Sequence, residues 1–318
     1  MARLVHTGSV IIDQVMTVPQ IPEPGGDVVA TSAENMVGGG FNTIVASARD
    51  GLPVLYAGLL GTGDYADKVQ SALAEYDVEV ALEPSAERDT GFCVAIVDDS
   101  AERTFYTYVG AEGLEGYKEL AQVQLEPDDL VYVTGYSLAS ETNAEGLRAW
   151  LPTIPEETVV YVDPSPLVAE LPEEDLRPLI DRTDIFSCNA RETRILGKDE
   201  DFLTAAKNLR GQLPEHAALV ARDGANGTWV SQDRSDPGTW VPAFVVDAVD
   251  TNGAGDAHAG VLLAALSRGD DLLSAVERAN AAAALAVTER GPATSPDSAA
   301  IDQMIANGTR SEIPSEQK

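Results

Sequence analysis

The chain has 318 residues, enough for two domains or for one large α/β domain with an appendage. Lys and Arg total 21 against 52 Asp and Glu, a formal net charge of −31, and no basic cluster gathers the few cations, which excludes nucleic-acid binding by phosphate neutralisation. An apolar fraction of 44% excludes disorder, and charged residues interrupt each apolar run before the roughly 18–20 residues that span a bilayer.

Taken from the N-terminus, residues 1–6 lack the long apolar stretch and cleavage site of an export signal, and Asp13 interrupts the run that follows. A cytoplasmic protein is expected. Short apolar β-rich runs at 4–12, 54–58, 130–134, 158–162, 185–188 and 218–221 alternate with amphipathic stretches such as 43–49, 65–76 and 142–151. That alternation predicts a parallel sheet covered by helices. Two segments break it. Residues 28–36 read as a strand, and 91–97 with 103–109 read as a β-hairpin across the polar turn 98–102, so a small β lid over one edge is expected. Beyond Gly291 the pattern decays into what reads as a polar tail over 311–318. No repeat or low-complexity linker divides the chain, which is read as a single domain, 1–318, with a lid from about 13–37 and 88–111. Cys93 and Cys188 have neither disulfide nor zinc spacing and are expected as buried free thiols.

The strongest local feature is Asp250-Thr251-Asn252-Gly253-Ala254-Gly255-Asp256-Ala257-His258-Ala259-Gly260, between a strand-like run at 243–249 and an apolar helix at 260–266. Three small residues before a helix let backbone N–H groups converge at the positive end of its dipole, which makes an anion cradle. A carboxylate placed there repels phosphate unless it has a task such as accepting a proton from an attacking hydroxyl. The alternative is that Asp256 only satisfies first-turn amides.

With Asp13, Gly38-Gly39-Gly40-Phe41-Asn42, Gly51, Gly61, Asn189-Ala190-Arg191-Glu192, Arg222-Asp223-Gly224-Ala225-Asn226-Gly227 and Gly291-Pro292-Ala293-Thr294-Ser295 in the same order and spacing, the sequence resembles the ribokinase-like carbohydrate kinases, the PfkB family. The resemblance covers nearly the whole chain and implies a three-layer α/β sandwich with a central, mostly parallel sheet and a small β-sheet lid. It makes Asp256 the catalytic base, with the amides of Gly253, Ala254 and Gly255 stabilising the transferred phosphoryl group. Asp13, Gly38, Gly39, Gly40 and Asn42 are implied to hold a small-molecule sugar. Asn189, Arg222, Gly224, Gly227 and Asn280 are implied to serve ATP, with Glu192 supporting Mg²⁺ through water. Asp250, Asn252, Ala286, Gly291 and Ser295 occupy the positions that hold K⁺ in part of the family. A homodimer through the lid, whose aromatics are Phe92, Phe105, Tyr106 and Tyr108, follows from the same likeness. Three positions depart from it: Ile44 replaces a small residue, Ala139 stands where ribokinase carries an acidic sugar contact, and His258 replaces an aromatic.

Competing motifs are weaker. Gly61-Thr62-Gly63-Asp64-Tyr65-Ala66 fits a relaxed dinucleotide fingerprint but lies in the second βα unit. Gly197-Lys198 lacks the glycine spacing of a P-loop, and His6 and His216 read as core or surface residues. The expected function is therefore ATP-dependent phosphorylation of a hydroxyl on a free small sugar. The alternatives are a nucleoside kinase of the same fold and a non-catalytic nucleotide- or sugar-binding module.

Overall fold

The computed structural model describes residues 2–99 and 103–314; Ser100, Ala101 and Glu102 of the expected hairpin turn and the last four residues of the expected tail lie outside the described residues. In chain order the strands are β1 (Leu4–His6), β2 (Val10–Thr17), β3 (Ser32–Gly39), β4 (Val54–Tyr56), β5 (Glu79–Val80), β6 (Phe92–Val97), β7 (Arg103–Tyr108), β8 (Leu130–Thr134), β9 (Val159–Asp163), β10 (Ile185–Asn189), β11 (Ala218–Arg222), β12 (Thr228–Ser231) and β13 (Thr239–Val241). The helices are α1 (Phe41–Arg49), α2 (Asp64–Ala74), α3 (Tyr117–Leu120), α4 (Glu141–Trp150), α5 (Glu173–Arg182), α6 (Ala190–Gly197), α7 (Phe202–Arg210), α8 (Ala254–Ser267), α9 (Leu272–Ala286) and α10 (Ser298–Asn307).

Nine strands form one sheet in the order β13-β12-β11-β10-β9-β8-β1-β4-β5, parallel from β11 to β5 and antiparallel at β12 and β13. Strand alternation divides its side chains between two cores. Val5, Val131, Val133, Val160 and Val162 pack beneath the layer that includes α4, α5 and α7. Leu4, Leu130, Tyr132 and Tyr161 pack on the opposite face beneath α1, α2, α8 and α9. The result is the expected three-layer arrangement. A second, smaller sheet has four strands, order β3-β2-β6-β7, from the segments expected to form a lid.

Several sequence expectations are corrected. The run 4–12 is two strands in two sheets, because the chain bends at Gly8, where a Cβ would press on the His6 ring and Thr134 at 2.9 Å. An unbroken apolar alternation carries no mark of such a bend. The strand expected at 28–36 forms at Ser32–Gly39, where it pairs with the whole of β2. Residues 243–249 make a single bridge, Phe244 to Arg310, in place of a strand. The pattern past Gly291 does not decay: α10 is capped by Asp297, and Ser311 is bonded to Ala243 through both main chain and side chain. Cys93 and Cys188 are buried free thiols, as expected. Among the described residues no helix is long and apolar enough to cross a membrane.

Candidate active site

The parallel strands end at one edge, and their last residues are Thr134, Asp163, Asn189 and Arg222 on β8, β9, β10 and β11. In open α/β sheets this carboxyl edge is where ligands sit. The N-terminus of α8 reaches the same edge. Its cap, Gly253, has φ +73°, a left-handed conformation suited to glycine, and no side chain caps the helix. The amides of Gly253 and Gly255, and that of Ala254, which donates to the Thr251 carbonyl at 3.4 Å, lie at the positive end of a 14-residue helix.

Asp256 follows in that first turn. Asn42 Nδ2 donates to its Oδ2 at 3.1 Å and Thr43 Oγ1 donates to its Oδ1 at 3.0 Å. The two donors open α1, which lies against α8 because position 260 is glycine: a Cβ there would stand 2.6 Å from both Ala46 Cβ and the Thr43 carbonyl. Burial pushes the Asp256 carboxyl up to about 6; Asp163 reinforces the rise, while Asn42, Thr43 and Arg222 oppose it. Asp13, on β2, is likewise pushed up to about 6, first by burial and then by Asp256. Two carboxylates therefore confront each other between the lid and α8.

Arg222 donates to Asp163 Oδ2 at 3.0 Å and to the Gly255 carbonyl at 3.0 Å, linking β11, β9 and the first turn of α8. Asn189 and Glu192 form a reciprocal capping box on α6, with Glu192 N donating to Asn189 Oδ1 at 3.0 Å and Asn189 N donating to Glu192 Oε2 at 2.8 Å. Burial, with Asp163 next, raises the Glu192 carboxyl above the ordinary carboxylate range. Gly224 and Gly227 bracket the turn after β11 with φ +55° and +102°, and a Cβ on Gly224 would meet open space.

Several of the expected residues also make contacts within the protein. A Cβ on Gly38 would overlap the Asp13 carboxylate and one on Gly40 the His6 ring, so these glycines make room for the protein's own side chains. Asn280 is buried; Thr228 Oγ1 donates to its Oδ1 at 2.7 Å, and its Nδ2 donates to the Val241 and Pro242 carbonyls at 3.2 and 3.1 Å. It fastens α9 to the sheet edge. His258 is buried and, through burial and then Arg222, held down to about 3, as a packed neutral residue. Ile44 is wholly buried in the core, and Phe92 braces the lid on Tyr65 and Tyr108. At α2 the dinucleotide fingerprint is filled by protein: Asp89 accepts from the Tyr65 and Ala66 amides at 3.0 and 2.9 Å. That leaves no anion cradle there.

The positions expected to hold K⁺ are bonded in two groups. Asp250 accepts from Asn252 N at 2.9 Å and Gly291 N at 3.2 Å, Thr294 Oγ1 donates to the Ala286 carbonyl at 3.1 Å, and Ser295 Oγ is buried without a hydrogen-bond partner. Asp163 and Thr43 were not singled out from sequence. Asp163 had a signal, a charged residue ending an apolar parallel strand. Thr43 reads as one more polar residue in an amphipathic helix.

Such a fold, with an uncapped helix and a carboxylate at the carboxyl edge of its sheet, defines a ribokinase-like phosphotransferase. Over residues 1–299 the sequence matches the pfkB family carbohydrate kinases, and the chain belongs to that family, whose members transfer phosphate to an alcohol group. It is 32% identical over 287 residues to the uncharacterized sugar kinase YegV of Escherichia coli K12, covering 89% of this chain and 88% of that one. It is 30% identical over 319 residues to an ATP-dependent ribose-1-phosphate kinase of Halopiger xanaduensis, covering 96% and 99%. The ribokinase structure from Giardia lamblia superposes with a TM-score of 0.82 at 21% identity, over 95% of this chain and 99% of that one. Aminoimidazole riboside kinase of Salmonella enterica gives 0.79 at 23% identity, over 96% and 100%. These structural likenesses define the fold.

Proposed function

We propose that the enzyme transfers the γ-phosphoryl group of ATP to a hydroxyl of a free, uncharged small sugar. The observation that carries this reading is the Asp256 carboxylate, pushed up to about 6 by burial, standing beside uncapped amides and opposite Asp13. In the reaction the acceptor oxygen bonds to phosphorus, the bond to the β-phosphate oxygen breaks, ADP leaves, and the hydroxyl proton passes to Asp256. The Gly253, Ala254 and Gly255 amides take the charge on the transferred group. Asp13 and Asn42 orient the sugar, and the lid, residues 13–37 and 88–111, excludes water as competing nucleophile.

We place ATP along the turn Gly224 to Gly227, with Arg222 and Asn189 toward its phosphates and Asn280 near its adenine or ribose. Mg²⁺ is accommodated by hard oxygen chemistry at Glu192, which Asp163 faces closely enough to raise it. Among the described residues no three acidic, His or Cys side chains cluster as a metal cage, which fits an ion held largely by phosphates and water. Mg²⁺ would neutralise charge on the terminal phosphates. The buried, unpartnered Ser295 Oγ and the Asp250 carboxylate suit K⁺, together with Asn252, Ala286 and Gly291. Two buried free thiols accord with a cytoplasmic location.

An uncharged acceptor is favoured because its side of the site is lined by Asp13 and Asp256, which repel a phosphosugar. The lid exposes Phe105, Tyr106, Tyr108 and Val109, against which we place a second copy of the chain. Light scattering at micromolar protein then gives a dimer mass; a monomer removes that interface. ADP formation across free pentoses, hexoses, sugar acids, nucleosides and phosphosugars tests the substrate class. Turnover confined to phosphosugars would refute it.

A further inference from the structure

We propose that Thr43 is a positioning residue for the general base, its hydroxyl fixing the plane of the Asp256 carboxylate and favouring its ionised form. The inference rests on Asp256 being that base. Thr43 is wholly buried, at 0% exposure, where a hydroxyl needs a hydrogen-bond partner. Here the hydroxyl leaves α1 and donates to Oδ1 of Asp256, 213 positions away, at 3.0 Å.

The geometry is a clamp on both oxygens. Asn42 takes the Ala293 N–H on its Oδ1 at 2.8 Å, which sets the orientation of the amide and turns Nδ2 to Asp256 Oδ2. Rotation of the carboxylate about its last torsion breaks both bonds. Each oxygen keeps lone-pair capacity for the acceptor's proton, and Thr43 retains its own proton throughout.

The charged and titratable groups that face Asp256 are Asp13 on β2, Asp163 on β9, Arg222 on β11, Tyr132 on β8 and Tyr136 in the turn after it. Asp13 and Asp163 resist its ionisation, and Arg222 is shared with Asp163 and the Gly255 carbonyl. Thr43 and Asn42 are the neutral donors that act on the carboxylate directly, and each lowers its pKa. Losing one hydrogen bond to the ionised form should raise that pKa by about one unit.

The test compares pH profiles of kcat for wild type, Thr43→Val, Thr43→Ala, Thr43→Ser and Ser47→Ala on the acceptor identified by the panel. Ser47 is a control for packing: one turn further along α1, its hydroxyl donates to the Thr43 and Gly260 carbonyls at 3.0 and 3.3 Å without reaching Asp256. Thr43→Val and Thr43→Ala are expected to move the acid limb up by about one pH unit and to lower kcat about tenfold, with KM for ATP within about twofold. Thr43→Ser restores both, and Ser47→Ala leaves the limb in place. An unmoved limb in both Thr43 variants, or an equal shift in Ser47→Ala, overturns the proposal. Near wild-type turnover in Asp256→Asn instead overturns the base assignment on which it rests.

Discussion

Arg222 holds the Asp163 carboxylate at 3.0 Å with one terminal nitrogen and the Gly255 carbonyl at 3.0 Å with the other, so the ion pair between β11 and β9 also anchors the first turn of α8, the proposed phosphoryl cradle. Side-chain exposures of 12% and 17% make this a largely desolvated pair. Arg222→Met leaves Asp163 uncompensated and should lower unfolding stability by about 3 kcal/mol, measured by urea denaturation. Adding Asp163→Asn should recover much of that loss without recovering turnover, because the Gly255 tether stays broken. Full recovery of both would show that the pair does not position the cradle.

Asp13 makes a prediction with a defined sign. Its carboxyl is raised from 3.8 to about 6 by burial and then by Asp256, so between those pH values the native state binds more protons than the unfolded chain. Stability therefore falls as pH rises across that window and stays reduced above about 6. Asp13→Asn removes the penalty: thermal unfolding at pH 7.5 should shift up by roughly 2–4 °C, and at pH 4 it should hardly move. Acceptor-dependent turnover is lost at the same time. A destabilised variant at pH 7.5 would contradict the reading of two confronting carboxylates.

The cation positions predict a response to salt identity. In buffer free of sodium and potassium, KCl added at constant ionic strength should raise kcat more than it changes sugar KM, because an ion at Asp250 and Ser295 orders the 250–255 turn. Replacing KCl with a tetraalkylammonium salt should give no rise. Unchanged turnover removes the cation from the account.

How far the sequence reached depended on whether a residue's task is local. Asp256, Gly253 and the α8 start were legible because small residues before a helix and a carboxylate in its first turn lie in one stretch of chain. The parallel sheet was legible for the same reason, each βα unit carrying its own periodicity. Thr43 and Asp163 act through contacts 213 and 59 positions away, with Asp256 and Arg222, and no local pattern reports such distances. The strands β12 and β13 escaped notice because Thr228–Ser231 and Thr239–Val241 are too short for period-two alternation to show. Asn280 came from the family likeness alone, since its bonds to Thr228, Val241 and Pro242 join stretches of chain 38–52 positions apart.

Asp256 is proposed to take the proton from the acceptor hydroxyl while the backbone beside it holds the phosphoryl group. Acceptor-dependent ADP formation by Asp256→Asn, read beside ATP affinity from calorimetry, tests it most directly. The rate should fall by about 10²–10⁴ with ATP affinity within a few fold, since only the proton acceptor is lost and the amides of Gly253, Ala254 and Gly255 stay. Near wild-type turnover in that variant would contradict it.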